Sequence, residues 1–182
     1  MMMQVFSRRP GLAAILLGLV ASGLYLLMIT VTLPAIEAIS GQIPFDMRPL
    51  GYSPLEAAQV LEGLGAQGRA YYLTYQIPLD TLYPGIMALT LMATIVWLRA
   101  RVPYRKLAFA GLICAVAAAI ADYSENLGIV LMIHSGPNLS DALVHFASFS
   151  SVVKALSTTT SVLTCVGLAV IWVARLAGPA RA

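Results

Sequence analysis

Four apolar runs, at about 11–33, 79–98, 107–133 and 151–176, are each close to or above the roughly 20 residues a membrane-spanning helix needs. Polar positions gather between them, in segments 34–78 and 134–150 and in a short basic turn at 99–106. This spacing predicts an all-α fold: a polytopic membrane protein with a four-transmembrane-helix up-down bundle, forming a single membrane domain over 1–182. No internal repeat stands out. The first run holds 23 residues without a charge, more than the about 7–15 of a cleavable signal, so it reads as an uncleaved first helix.

Finer signals divide the polar segments. Pro34 is expected to end or kink the first helix, leaving Glu37 outside the hydrocarbon. The Pro-rich stretch from Ile43 to Tyr52 reads as an ordered loop. Ser53-Pro54-Leu55-Glu56 is a capping box with proline at the first helical position, so a helix is expected from Pro54 to Leu64. Gly63, Gly65 and Gly68 are expected to break it. Tyr71, Tyr72 and Tyr75 then read as a headgroup-level belt beside Arg69. Further on, Gly136-Pro137-Asn138 reads as a turn, Asp141 as the start of a short helix before the fourth span, and Gly178-Pro179 as the stop after it.

Composition agrees with this pattern: 59% of the 182 residues are hydrophobic and 10% charged, against about 25% charged in a soluble domain. Charge placement adds an orientation. Four spans put both termini on one side, together with Arg8, Arg9, Arg99, Arg101, Arg105, Lys106, Arg175 and Arg181. The opposite side holds Arg48, Arg69, Lys154 and all eight acidic residues. The positive-inside rule then predicts a multi-pass protein of the plasma (inner) membrane, both termini cytoplasmic, with a partly helical extracytoplasmic segment between helices 1 and 2. The basic excess is accounted for by this address, and no nucleic-acid partner is expected.

One stretch departs from the apolar pattern of its run. Asp122, Glu125 and Asn126 sit at i, i+3 and i+4 in the third span, on one helical face. Ionisable groups in a span usually face a bundle interior or a watery cavity. At 1.5 Å per residue from the basic end of each helix, Asp80, Tyr83, Asp122, Glu125, Lys154 and Ser157 all fall roughly 24–31 Å up, in one layer. Gly111, Ala115 and Ala118 form a small-residue seam on the side of Asp122, where a neighbouring helix can approach closely. In the fourth span, Lys154, Ser157, Thr158, Ser161, Thr164 and Cys165 form a polar stripe. Lys154 is the natural counter-charge for Asp122 or Glu125, and Arg69 is placed to serve Asp80 from above.

The chemistry this layer offers is carboxylate chemistry. Asp122 and Glu125 are the acid–base candidates, and Asp80, Tyr83, Asn126, Lys154, Ser157, Ser161 and Arg69 the ligand-binding candidates. Oxygen ligands could hold a hard cation, yet no metal site is expected, no cofactor is required, and His134 and His145 lack a metal-ligand spacing. Cys114 and Cys165 lack CxxC spacing and read as small core residues. Gly63-x-Gly65-x-x-Gly68 matches a dinucleotide fingerprint by letter only, since it follows a helix and has no βαβ context. The layout is similar to that of claudin-like proteins, but the first long segment lacks their tryptophan and cysteine pattern, and no residue role is carried over.

The leading functional expectation is an acidic polar cavity near the outer leaflet that binds, and as an extension modifies, a lipid-like or amphiphilic ligand, with membrane lipid as the partner. The alternative is a non-catalytic membrane-complex subunit or assembly factor whose buried polar layer is structural and which docks a membrane partner protein. The third is a small proton- or cation-coupled transporter working as a homo-oligomer.

Overall fold

The structure is a computed structural model that describes residues 9–136 and 138–177. The readings placed on Arg8, Pro137, Gly178-Pro179 and Arg181 lie outside the described residues. The described chain is helical and contains no strand. Four helices, α1 (Pro10–Ser40), α2 (Pro54–Arg99), α3 (Arg105–Ser135) and α4 (Asp141–Ala177), are long and apolar enough to cross a membrane. By length and hydropathy this is a multi-pass membrane protein. A 3₁₀ turn, Phe45–Met47, lies in the connection between α1 and α2.

The helices reach further than the apolar runs. Pro34 does not end α1. A π turn at Met28–Thr32 opens the backbone just before the proline, and the helix continues to Ser40. A wider turn accommodates a ring that would otherwise meet the preceding carbonyl. The same device recurs in α2, where a π turn at Tyr72–Gln76 precedes Pro78. Of the three glycines expected to break the Pro54 helix, only Gly65 leaves helical geometry, with φ 54° and ψ −162°. The positive φ favours glycine, and the helix resumes at once. Gly63 and Gly68 serve close packing instead: a methyl on Gly63 would run into the Ser40 carbonyl, and one on Gly68 would meet Leu64 and Ile39. In α4 the segment from Asp141 is not a separate short helix. It holds no glycine or proline and runs unbroken into the fourth span.

The capping box is formed at the start of α2. Ser53 Oγ accepts the Glu56 backbone N–H, and Glu56 Oε2 accepts the Ser53 N–H at 2.7 Å. That backbone bond is the main cause holding the exposed Glu56 carboxyl below its usual range. Gly41 closes α1 in the left-handed region, its N–H donating to the Glu37 carbonyl.

Packing follows the small residues. A β-carbon on Gly111 would meet Thr164 at 2.6 Å, and one on Gly128 would meet Ala147 at 2.6 Å, so α3 and α4 cross closely at both points. Ser161 tightens the same crossing by donating to the Gly111 carbonyl. Consecutive helices pack on one another, and α2 also touches α4. α1 packs along α2 and makes at most marginal contact with α4. Only 17% of the most apolar window is buried in α1 and in α4, against 33% in α2 and α3, which makes α2 and α3 the inner pair.

Two apolar clusters cap the bundle. At the end where α1 meets α2, Ile36, Phe45, Tyr52, Leu64 and Tyr72 pack with Ile129, Met132 and Val144. At the other end Trp97 meets Trp172 edge-on, 5.0 Å between centroids, with the Arg101 guanidinium 3.9 Å above Trp97. The polar layer lies between them.

Candidate functional site

Asp80, Asp122, Glu125 and Asn126 are all buried. They come from α2 and α3, the inner pair of helices, and Gly111, Ala115 and Ala118 are buried on the same side of α3. Lys154 reaches them from α4. Its ammonium pairs with Glu125 and lies 3.5 Å from Asp122 Oδ1. Ser151, one turn before Lys154, donates to the other Glu125 oxygen. Each partner in this group compensates the desolvation of the next.

Asp80 and Asn126 meet for a backbone reason. In a regular helix the carbonyl of residue 80 accepts the N–H of residue 84, but residue 84 is proline and has none. The Asn126 amide fills the vacancy, Nδ2 donating to the Asp80 carbonyl at 2.7 Å. Asn126 Oδ1 and Asp80 Oδ2 remain buried with no hydrogen-bond partner among the described residues. The Tyr52 hydroxyl, in the connection between α1 and α2, is likewise unpartnered. Burial and the nearby carboxylates of Glu125 and Asp46 raise it well above its ordinary value.

A cavity of about 310 Å³ opens beside this layer, lined by Asp80, Tyr83, Asp122, Lys154, Thr158 and, less expectedly, Asp46 and Gln76. Tyr25 and Met28 of α1 stand on one side of it, Ala155 and Thr159 of α4 on the other. α1 and α4 make at most marginal contact with each other, and Tyr25 and Thr159 on these two sides are exposed. A second, much smaller pocket of about 20 Å³, which shares Tyr83, Asp122 and Thr158 with the cavity, lies among Met87, Leu91, Ala115 and Ala118.

The candidates divide accordingly. Of the two acid–base residues, Asp122 lines the cavity, whereas Glu125 is fully buried and held by Lys154 and Ser151. Tyr83 lines it too, stacked on Tyr25 with centroids 5.8 Å apart. Ser157 is only partly buried and Ser161 is spent on the α3 backbone, while Thr158, one residue along, faces the cavity. Arg69 corrects the expectation placed on it. Its guanidinium donates twice to the Leu61 carbonyl, at 2.9 and 3.2 Å, closing the gap at the Gly65 kink, and it does not line the cavity. No group of three His, Cys, Asp or Glu suited to a metal ion occurs among the described residues.

Three polar residues were missed. Asp46 hangs from the 3₁₀ turn into the cavity, accepting the Tyr72 hydroxyl and, at 3.4 Å, the Gln76 amide. Gln76 in turn accepts the Thr32 hydroxyl at 2.5 Å. Thr32 and Gln76 belong to the two π turns, so the widened backbones of α1 and α2 face each other and share this bond. The signal was available as the two prolines, Pro34 and Pro78, each two residues beyond a polar side chain. Asp46 had no such signal, because a depth count along helices is blind to a loop that folds inward.

Comparison with family models, with curated proteins and with solved structures finds no match for this chain. The functional reading therefore rests on the site alone.

Proposed function

We propose that the chain binds an amphiphilic, lipid-like molecule in the cavity of the polar layer. The observation that carries this is the make-up of the cavity. A polar wall of Asp46, Asp80, Asp122 and Lys154 stands beside the flanks of α1 and α4, two helices with mostly exposed apolar surfaces and at most marginal contact with each other. A head group would sit inside and its tail would remain among the bilayer chains. The volume lies at the low end of small-molecule sites, suited to a head group and not to a whole lipid.

Extraction in a mild uncharged detergent, followed by native mass spectrometry, tests this. The wild-type chain is expected to carry one amphiphile per copy, and Ala155→Phe, which fills the cavity from α4, to lose it at unchanged melting temperature. Wild type and Ala155→Phe carrying the same bulk lipid mixture would defeat the reading. A second reading has its own support: Lys154, Glu125, Ser151 and Asp122 form a network largely complete in itself, as a structural layer of a complex subunit would. A stoichiometric membrane protein partner that co-purifies, with no bound amphiphile, would favour it.

The charge distribution supports a plasma-membrane orientation with both termini in the cytoplasm and the cavity near the outer leaflet. In a chain with Cys114 and Cys165 replaced by alanine, Leu50→Cys and Ser140→Cys are expected to react with an impermeant thiol reagent in intact cells, and Ala100→Cys only after lysis. All three positions are exposed, unlike the buried Ser40 nearby. Labelling of Ala100→Cys alone in intact cells would reverse the orientation.

A further inference from the structure

We propose that the head group this cavity takes is an ammonium, docked on Asp80 beside the Tyr25–Tyr83 pair. The inference rests on the ligand-binding reading and names the class of ligand. Asp46 receives the Tyr72 hydroxyl and the Gln76 amide. Asp122 and Glu125 share the one lysine. Asp80 is left: its side chain lies on the cavity wall against the Asp46 carboxyl, the residue is only 4% exposed, and Oδ2 accepts no hydrogen bond from the described residues. A buried carboxylate without a partner is costly, and a bound cation relieves that cost.

The unspent atom also states the sign of the ligand. Asp80 Oδ2, on the cavity wall, is an acceptor, so what completes it must donate. An anionic head group would face three wall carboxylates, with Lys154 already shared between two acids. A bare metal ion is poorly served, since no cluster of three metal-type side chains occurs among the described residues. An ammonium fits both features. Its N–H groups reach the free Asp80 oxygen, and its charge finds Tyr83, which lines the same cavity and is stacked with Tyr25. The tail lies along the flanks of α1 and α4, whose apolar surfaces are mostly exposed.

Three probes with one chain length separate the possibilities: hexadecylammonium, hexadecanol and hexadecyl sulfate, added to the full chain in an uncharged detergent. Binding is read by native mass spectrometry and by the shift in melting temperature. The ammonium is expected to bind one per chain, about tenfold or more tighter than the alcohol and the sulfate, the equivalent of one charge-assisted contact. Asp80→Asn is expected to remove that preference, bringing the binding of hexadecylammonium down to the level of hexadecanol. Tyr83→Leu, which keeps every charge, is expected to lower ammonium binding alone. Equal binding of ammonium and alcohol, preference for the sulfate, or an undiminished preference in Asp80→Asn would overturn the ammonium assignment and leave a cavity for amphiphiles of another kind. Failure of all three probes to saturate would remove the ligand-binding reading itself.

Discussion

Lys154→Met should lower stability by about 3–5 kcal/mol, the usual cost of stripping one partner from a buried ion pair. The cost arises at Glu125. That residue is fully buried, and without the ammonium its carboxylate keeps only the Ser151 hydroxyl. Asp122 sits 3.5 Å from the ammonium and lines the cavity, where water can reach it, so it suffers less. The double variants separate the two. Lys154→Met with Glu125→Gln should recover most of the lost stability, and Lys154→Met with Asp122→Asn only a small part. Thermal unfolding in detergent measures all four chains. Lys154→Met melting like wild type would mean that the lysine turns out to the headgroups and that the polar layer has no central contact.

Phe45→Ala should cost about 3–5 kcal/mol, the range for truncating a buried aromatic ring. Phe45 is fully buried, packed 5.0 Å from Tyr52 and 6.3 Å from Tyr72 between ring centroids. It anchors the 3₁₀ turn that carries Asp46 to the cavity wall, so Phe45→Ala should also loosen the position of that carboxylate. Phe45→Leu, which keeps most of the volume, should cost clearly less and keep the turn in place. Melting temperature reports the first effect. Protection of the Met47 and Arg48 amides from hydrogen exchange reports the second, since their N–H groups close the turn on Pro44 and Phe45. Full protection in Phe45→Ala would show that the loop holds its shape without the ring.

The chain by itself carried the four apolar helices, the capping box at Ser53, and the polar layer of Asp80, Tyr83, Asp122, Glu125, Asn126 and Lys154. The reason is geometric. A helix rises by a constant step, so counting from each basic end places side chains on neighbouring helices at comparable depth without knowing how they pack. Hydropathy said less about helix ends, because it reports the medium around a segment and not its hydrogen bonding. So α4 begins ten residues before its apolar run, at Asp141, and α1 passes Pro34 to reach Ser40. Tertiary structure decided the rest. It placed Arg69 on the Leu61 carbonyl, reaching back across the kink at Gly65. It brought Asp46 from a loop to the cavity wall and set Thr32 against Gln76 through paired π turns. It also left α1 with at most marginal contact to α4 beside the cavity. These outcomes depend on which surfaces meet across the bundle, and such contacts join residues far apart in the chain that no local pattern links.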